Sequence, residues 1–302
     1  MSNILVTGGA GFIASSLIEA LVKEGHLVTS IDNFITGNKK NVINDKNHNF
    51  IEANVNNYDE IFPIFSSQKF DYIFHYAALV GVKRTIDNPI KVLNDMKGFD
   101  NIFSLAVEFK IKKIFFSSSS EVYGEPVHLP QKEYSTPLNS RLPYAVIKNI
   151  GECYCKSYKK EYDLDFTIFR FFNTFGLRQS KDFVVSKFIS AAKKNEDITI
   201  YGDGKQTRTL CYIDDHLEAT LEAFNKNLFN NEIVNIGNDK EITILELAKK
   251  IIQISNSESK IVFLDPLKEG DMTRRQPDIS RMKILLKRDF TDLDLGLSYF
   301  FK

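Results

Sequence analysis

Short runs of consecutive apolar residues alternate with apolar residues at helical spacing along most of this chain. Residues 4–6 form a fully apolar run, and Gly8-Gly9-Ala10-Gly11 follows almost at once. From there the period changes. Phe12, Ile13, Leu17, Ile18, Leu21 and Val22 share one face of a predicted helix that stops at Gly25. A second apolar run over residues 27–31 ends in Asp32. Further runs at 70–76, 113–118, 166–172 and 233–236 predict strands, and amphipathic patterns at 92–109 and 144–162 predict long helices. Such alternation predicts an α/β fold built on a doubly wound parallel sheet. After Asn173 the pattern breaks into loops and shorter amphipathic pieces, at 183–193 and 244–252, which predict a smaller C-terminal lobe.

Composition narrows the partners. The chain has 302 residues, 43% of them hydrophobic, enough for one large domain or two smaller ones. Its formal net charge is +0, so a nucleic-acid partner has no electrostatic support. No run approaches membrane-span length, and the opening apolar strand lacks the flanks of a secretion signal. Cys153, Cys155 and Cys211 cannot build a disulfide framework, and no Cys/His cluster has metal-ligand spacing. The expectation is a cytoplasmic protein with no metal, nucleic-acid or membrane partner.

The opening segment carries the first candidate chemistry. A glycine-rich turn between a strand and a helix lets backbone approach a pyrophosphate, and the helix N-terminus supplies amide donors. A phosphate-binding P-loop would need Gly-Lys-Ser/Thr at its end, and Gly11-Phe12-Ile13 does not supply it. Ala14 takes the final small position of the dinucleotide fingerprint. Asp32 stands where a carboxylate would bind the adenosine ribose hydroxyls and repel a 2′-phosphate, which favours NAD over NADP. The second candidate is Tyr144-x-x-x-Lys148. Residues at i and i+4 share a helix face, and a nearby cation favours phenolate over phenol. That makes a proton-transfer device. SSSSEVYG at 117–124 and RFFNTFG at 170–176 follow predicted strands, so both project toward the carboxyl edge of the sheet, where such folds bind ligands.

Taken in order, TGGAGFIAS, IDN, HYAAL, SSSSEVYG, YAVIK, RFFNTFG, GDGKQTRTLCYIDD, NIGN and RRQPDIS resemble the extended short-chain dehydrogenase/reductase family over nearly the whole chain. The resemblance is specifically to its NAD-dependent nucleotide-sugar epimerases and dehydratases. It implies a Rossmann NAD-binding domain over 1–173 and a mainly substrate-binding lobe over 174–302, with about 210–238 returning to the sheet. It implies that Tyr144 is the catalytic base and that Lys148 holds the nicotinamide ribose. Ser119 would hydrogen-bond the reacting oxygen. Gly8, Gly11, Phe12, Ile13, Asp32, Asn33, Asn54, Val55, Ala77 and Ala78 fall on cofactor positions. Asn173, Arg208, Arg274 and Arg275 fall on positions that grip a nucleotide diphosphate and its sugar, a task suited to the planar arginine fork. A homodimer is also implied, pairing the helices at 92–109 and 144–162 through residues such as Phe99, Phe103 and Tyr154.

The family's shared chemistry oxidises the sugar at C4, and the resulting ketone then partitions. Hydride return to the other face gives 4-epimerisation, loss of water a 4-keto-6-deoxy sugar, loss of carbon dioxide a pentose, and release a plain dehydrogenation. Ser120 and Glu121 bear on that choice. The dehydratase branch resembles Thr-Asp-Glu here, and Ser119-Ser120-Glu121 lacks its acid. Ser-Glu with FNTFG and GDGKQTR also resembles the UDP-glucuronate decarboxylases, where the Arg275 position matters. Epimerase ranks first and decarboxylase second; a non-enzymatic NAD sensor would have no need of Ser119, Tyr144 and Lys148 together. Three positions depart from the family pattern. Asp95 replaces an Asn, where a carboxylate would raise the tyrosine pKa or meet a different sugar. Asn54 replaces an Asp near the adenine, and Lys268 lies near a position often held by arginine.

Overall fold

The structure is a computed structural model that describes residues 1–266 and 274–302; Lys268 lies outside the described residues. The first half runs β1 (Asn3–Thr7), α1 (Phe12–Lys23), β2 (Leu27–Asp32), β3 (His48–Glu52), α2 (Tyr58–Ser67), β4 (Tyr72–His75), α3 (Val82–Asp87), α4 (Pro89–Leu93), α5 (Asp95–Glu108), β5 (Lys113–Ser119), α6 (Pro143–Tyr162) and β6 (Asp165–Phe171). Then follow β7 (Thr174–Phe175), α7 (Val184–Ala192), β8 (Ile198–Tyr201), β9 (Thr207–Thr209), β10 (Cys211–Tyr212), α8 (Ile213–Asn225), β11 (Glu232–Ile236), β12 (Glu241–Thr243), α9 (Ile244–Ser255), β13 (Ile261–Leu264), α10 (Ser280–Leu285) and α11 (Leu293–Ser298).

Seven strands form the main sheet in the order β11-β6-β5-β4-β1-β2-β3. β1 pairs in parallel with both β2 and β4, β2 with β3, and β4 with β5. This is the predicted doubly wound Rossmann sheet. The strand order reverses between β1 and β4, so the switch point lies where Gly8 leaves β1 and Ala77 follows β4. Burial explains the fully apolar strands: Ile4, Leu5 and Val6 are buried, as are Ile114, Phe115 and Phe116 on β5. A strand covered by helices on both faces has no solvent side to alternate toward.

Compactness divides the chain into two units. The first comprises Met1–Val122, Arg141–Arg170 and Leu221–Val234; the second comprises Tyr123–Ser140, Phe171–Thr220 and Asn235–Lys302. The segment Tyr123–Ser140 therefore groups with the second unit, although it lies inside the range 1–173 expected for the first. The reason is a buried polar knot around Asn235. The Asn235 backbone amide donates to Glu133 Oε1 (3.0 Å), its side-chain amide donates to the Gln131 carbonyl (2.9 Å), and Tyr123 Oη donates to Asn235 Oδ1 (2.8 Å). Among the described residues, the second unit carries the strand pairs β7–β10 and β8–β13, parallel, and β9–β12, antiparallel. Thr243 and Glu246 start α9 with a reciprocal capping box.

Two expectations are corrected. The pattern at 92–109 ends in one helix, α5, but begins in another: Pro89 opens α4, which closes at Asn94. Phe99 and Phe103 of α5, expected at a dimer face, are 1% and 0% exposed and pack inside the chain's own core with Ile102, Phe116 and Ile147. They have no surface left to offer a partner.

Candidate functional site

The glycine turn forms because side chains are excluded there. Gly8 has φ +74°, and a Cβ on it would lie 2.9 Å from the Ala77 backbone. The Gly8 and Gly9 amides both donate to the Ile31 carbonyl, at 2.8 and 3.0 Å, which pins the turn across β2. Gly11 caps α1 without a side-chain hydrogen bond, so the amides of Phe12 and Ile13 in the first turn keep free donor capacity. Asp32 is 9% exposed; its carboxylate accepts from the Ala10 amide (3.0 Å) and the Phe34 amide (2.7 Å). Burial raises its pKa, against the lowering effect of the Phe34, Ala10 and Asn33 amides. Thr7 Oγ1 takes the Tyr76 and Ala77 amides at 3.0 Å each and lies 2.8 Å from His75 Nδ1, which fixes the loop holding Ala77 and Ala78. Asn33 Oδ1 accepts from Ile35 N, Asn54 Oδ1 from Asn56 N, and the Val55 carbonyl from Asn101. These residues form a backbone cradle at the switch point, which fits a dinucleotide.

Tyr144 and Lys148 sit on one face of α6, the ammonium 5.9 Å from the centre of the phenol ring. Tyr144 is half-buried, whereas Lys148 is 2% exposed. Its Nζ donates to the Ser117 carbonyl at 2.6 Å and to Ser117 Oγ at 3.2 Å, and lies 5.2 Å from the Phe116 ring centre. Burial lowers the lysine pKa to about 8, against the opposing field of Asp95. Ser119 stands two residues beyond Ser117 on β5 and so on the same face of the sheet. Its Oγ accepts the Glu121 amide at 3.1 Å, where Ser120–Tyr123 turn into a 3₁₀ helix. Ser120 is buried and Glu121 half-buried.

Sequence reasoning missed Ser117, because a main-chain carbonyl does most of the holding and leaves no mark on residue type. It also missed the support under the serine run. Ser118 Oγ donates to Glu152 (2.6 Å), and Glu152 is gripped by Arg170 through Nε (2.8 Å) and Nη2 (2.6 Å), all buried. These three residues lie on β5, α6 and β6, far apart in sequence, so no local spacing announces the cluster.

The second unit holds the remaining candidates. Asn173 adopts φ +31°, and its buried Nδ2 finds no protein acceptor among the described residues. Leaving a buried donor unmatched costs about 1–3 kcal/mol, so a ligand oxygen there would be rewarded. Arg208 on β9 donates to the Thr207 carbonyl (2.7 Å). The adjacent arginines separate. Arg274 is exposed and forms a fork with Glu241, at 3.1 and 2.6 Å, while Arg275 is 6% exposed.

The chain matches the sequence profile of the NAD dependent epimerase/dehydratase family over residues 4–237. It is 37% identical over 302 residues to a UDP-N-acetyl-alpha-D-glucosaminuronate decarboxylase of Bacillus cytotoxicus, covering 92% of this chain and 90% of that one. Among solved structures it is similar to the UDP-glucose 4-epimerase of Thermotoga maritima with UDP-glucose, with TM-score 0.93, 30% identity and coverage of 99% and 98%. It is similar also to the UDP-glucuronic acid 4-epimerase of Bacillus cereus in complex with UDP-glucuronic acid and NAD, with TM-score 0.89, 30% identity and the same coverage.

Proposed function

Because the chain belongs to the NAD-dependent epimerase/dehydratase family, we propose that it is a nucleotide-sugar 4-epimerase working through a transient 4-keto sugar. The observation that carries this reading is the pairing of half-buried Tyr144 with buried Lys148 beside the serines of β5. NAD, the cofactor of the family, supplies a hydride acceptor at C4 and later the donor. The chain's own residues manage the proton. Tyr144, as phenolate, takes the proton of the 4-hydroxyl while the C4–H bond gives up its hydride, leaving a carbon–oxygen double bond. Lys148 keeps positive charge beside the phenolate, and Ser119 donates to the reacting oxygen. Asp32 receives the adenosine ribose, and Asn173, Arg208 and Arg275 hold the nucleotide diphosphate, whose binding energy orients the distant sugar. Ser120 is a poor general acid for expelling a C6 hydroxyl, which argues against dehydration.

A second reading, decarboxylation of a UDP-linked uronic acid, draws support from the 37% identity to the Bacillus cytotoxicus decarboxylase and from the burial of Arg275. Product analysis separates the two. We expect UDP-hexoses or UDP-glucuronate to give a product of unchanged mass with inverted C4 by NMR; loss of carbon dioxide or water overturns the epimerase assignment. Tyr144→Phe should reduce turnover by about 10²–10⁴-fold while NAD still binds. Unchanged turnover in that variant would remove Tyr144 from the chemistry.

A further inference from the structure

Asp95, at the first turn of α5, reaches three other parts of the first unit. Its Oδ2 accepts the Leu79 amide at 2.9 Å, just beyond Ala77 and Ala78. Its Oδ1 accepts from the Asn56 side-chain amide at 3.3 Å, just beyond Asn54 and Val55. Its charge acts on Lys148, and it is the carboxylate whose field opposes the desolvation of that ammonium. The other groups around this centre are Tyr144 on α6, His75 on β4 and Ser117 on β5. His75 is fully buried and neutral: burial, then the Lys148 charge, lowers its pKa to about 3. It contributes no negative charge. Among the described residues, Lys148 therefore has Asp95 as its anionic counterweight.

We propose that Asp95 is a positioning residue for the proton transfer: it ties the Leu79 and Asn56 loops to α5 and supplies the counter-charge that sets the protonation of Lys148 and Tyr144. This rests on the proton-transfer role proposed for that pair. A negative charge raises the proton affinity of every group around it. Its removal therefore moves Lys148 and Tyr144 in one direction, toward loss of their protons at lower pH.

Asp95→Asn separates charge from geometry. The introduced amide can still accept the Leu79 N–H through its oxygen. Its NH₂ group would face Asn56, whose own Oδ1 is buried with no hydrogen-bond partner among the described residues, so rotating the Asn56 amide restores the second contact. Both limbs of the pH–rate profile should then shift to lower pH by about one unit, on the order of tenfold in proton affinity, whatever the change in peak turnover. A residue of structural importance alone would lower the amplitude and leave both limbs in place; that result overturns the proposal. A second readout needs no substrate. The phenolate absorbance of the parent minus that of Tyr144→Phe titrates this tyrosine directly, and the same difference in the Asp95→Asn background should come at lower pH. Asp95→Ser, which removes the charge without requiring Asn56 to turn, must shift the curve in the same direction, and an unmoved curve in both variants refutes the counter-charge. If no nucleotide sugar is turned over, the functional reading falls, while the absorbance titration still decides the role of Asp95.

Discussion

Arg274 and Arg275 are adjacent in sequence and differ in what they can offer a ligand. They lie outside any regular element, and one side chain reaches solvent while the other is buried. Arg274 spends its fork on Glu241 at an exposed site, where water and salt screen the pair. Arg275 is buried. Arg275→Ala should raise KM for the nucleotide sugar by about 10–100-fold, the range of a charged hydrogen bond, and Arg274→Ala by less than about fivefold. Steady-state kinetics on both variants checks the order, and equal effects would contradict it. The sequence pattern showed that an arginine was wanted here and could not say which, because outside a helix or strand no fixed period tells which of two neighbours is buried. The Tyr144–Lys148 pair was legible, since i, i+4 spacing fixes direction on any helix. Ser117 was not, because its carbonyl would be present whatever residue stood there.

At the scale of elements, the strands β1, β2, β4, β5, β6 and β11 were readable because sheet burial makes them almost continuously apolar. β3 and α2 were not predicted. β3 is the edge of the sheet, with the mixed sequence HNFIE, and none of its residues is fully buried. α2 carries Pro63 in its interior, a sign normally read against a helix, but Asn57 caps its start and Ile61, Ile64 and Phe65 anchor it. The turn between β1 and α1 is the element most sharply specified by sequence. Gly8→Ala meets two costs, a positive φ and a Cβ 2.9 Å from the Ala77 backbone. Together these should destabilise the first unit by about 2–4 kcal/mol, and forcing Ala77 away should weaken NAD binding as well. Denaturant unfolding and NAD titration measure the two losses separately. Retention of both would show that the turn relaxes without strain.

Over the whole molecule, buried histidines set much of the response to acid; burial lowers the pKa of His26, against the field of Glu24, and acts most strongly on two others. His75 in the first unit and His216 in the second are both fully buried, and burial lowers each pKa from 6.5 to about 3. Thr7 and Thr174 supply their hydroxyl partners, at 2.8 and 3.0 Å. Folding requires both rings neutral. Between pH 6.5 and about 3 the unfolded chain binds the two protons and the folded chain does not, so the unfolded state gains as pH falls. The stability is complete above pH 6.5 and is lost at about 1.4 kcal/mol per pH unit for each ring, about 2.7 for both. Asp32 and Asp95 oppose this at the acid end: burial raises their pKa values, so the folded state takes up their protons first as pH falls. The steepest loss is therefore expected just below about pH 6, before the carboxylates titrate. Denaturant melts at half-unit intervals from about pH 7 to 5 should reveal that slope. His216→Gln, which keeps a hydrogen-bonding group beside Thr174, should remove up to about half of it, since His26 adds to the same slope; an unchanged slope would mean that His216 takes up its proton without unfolding.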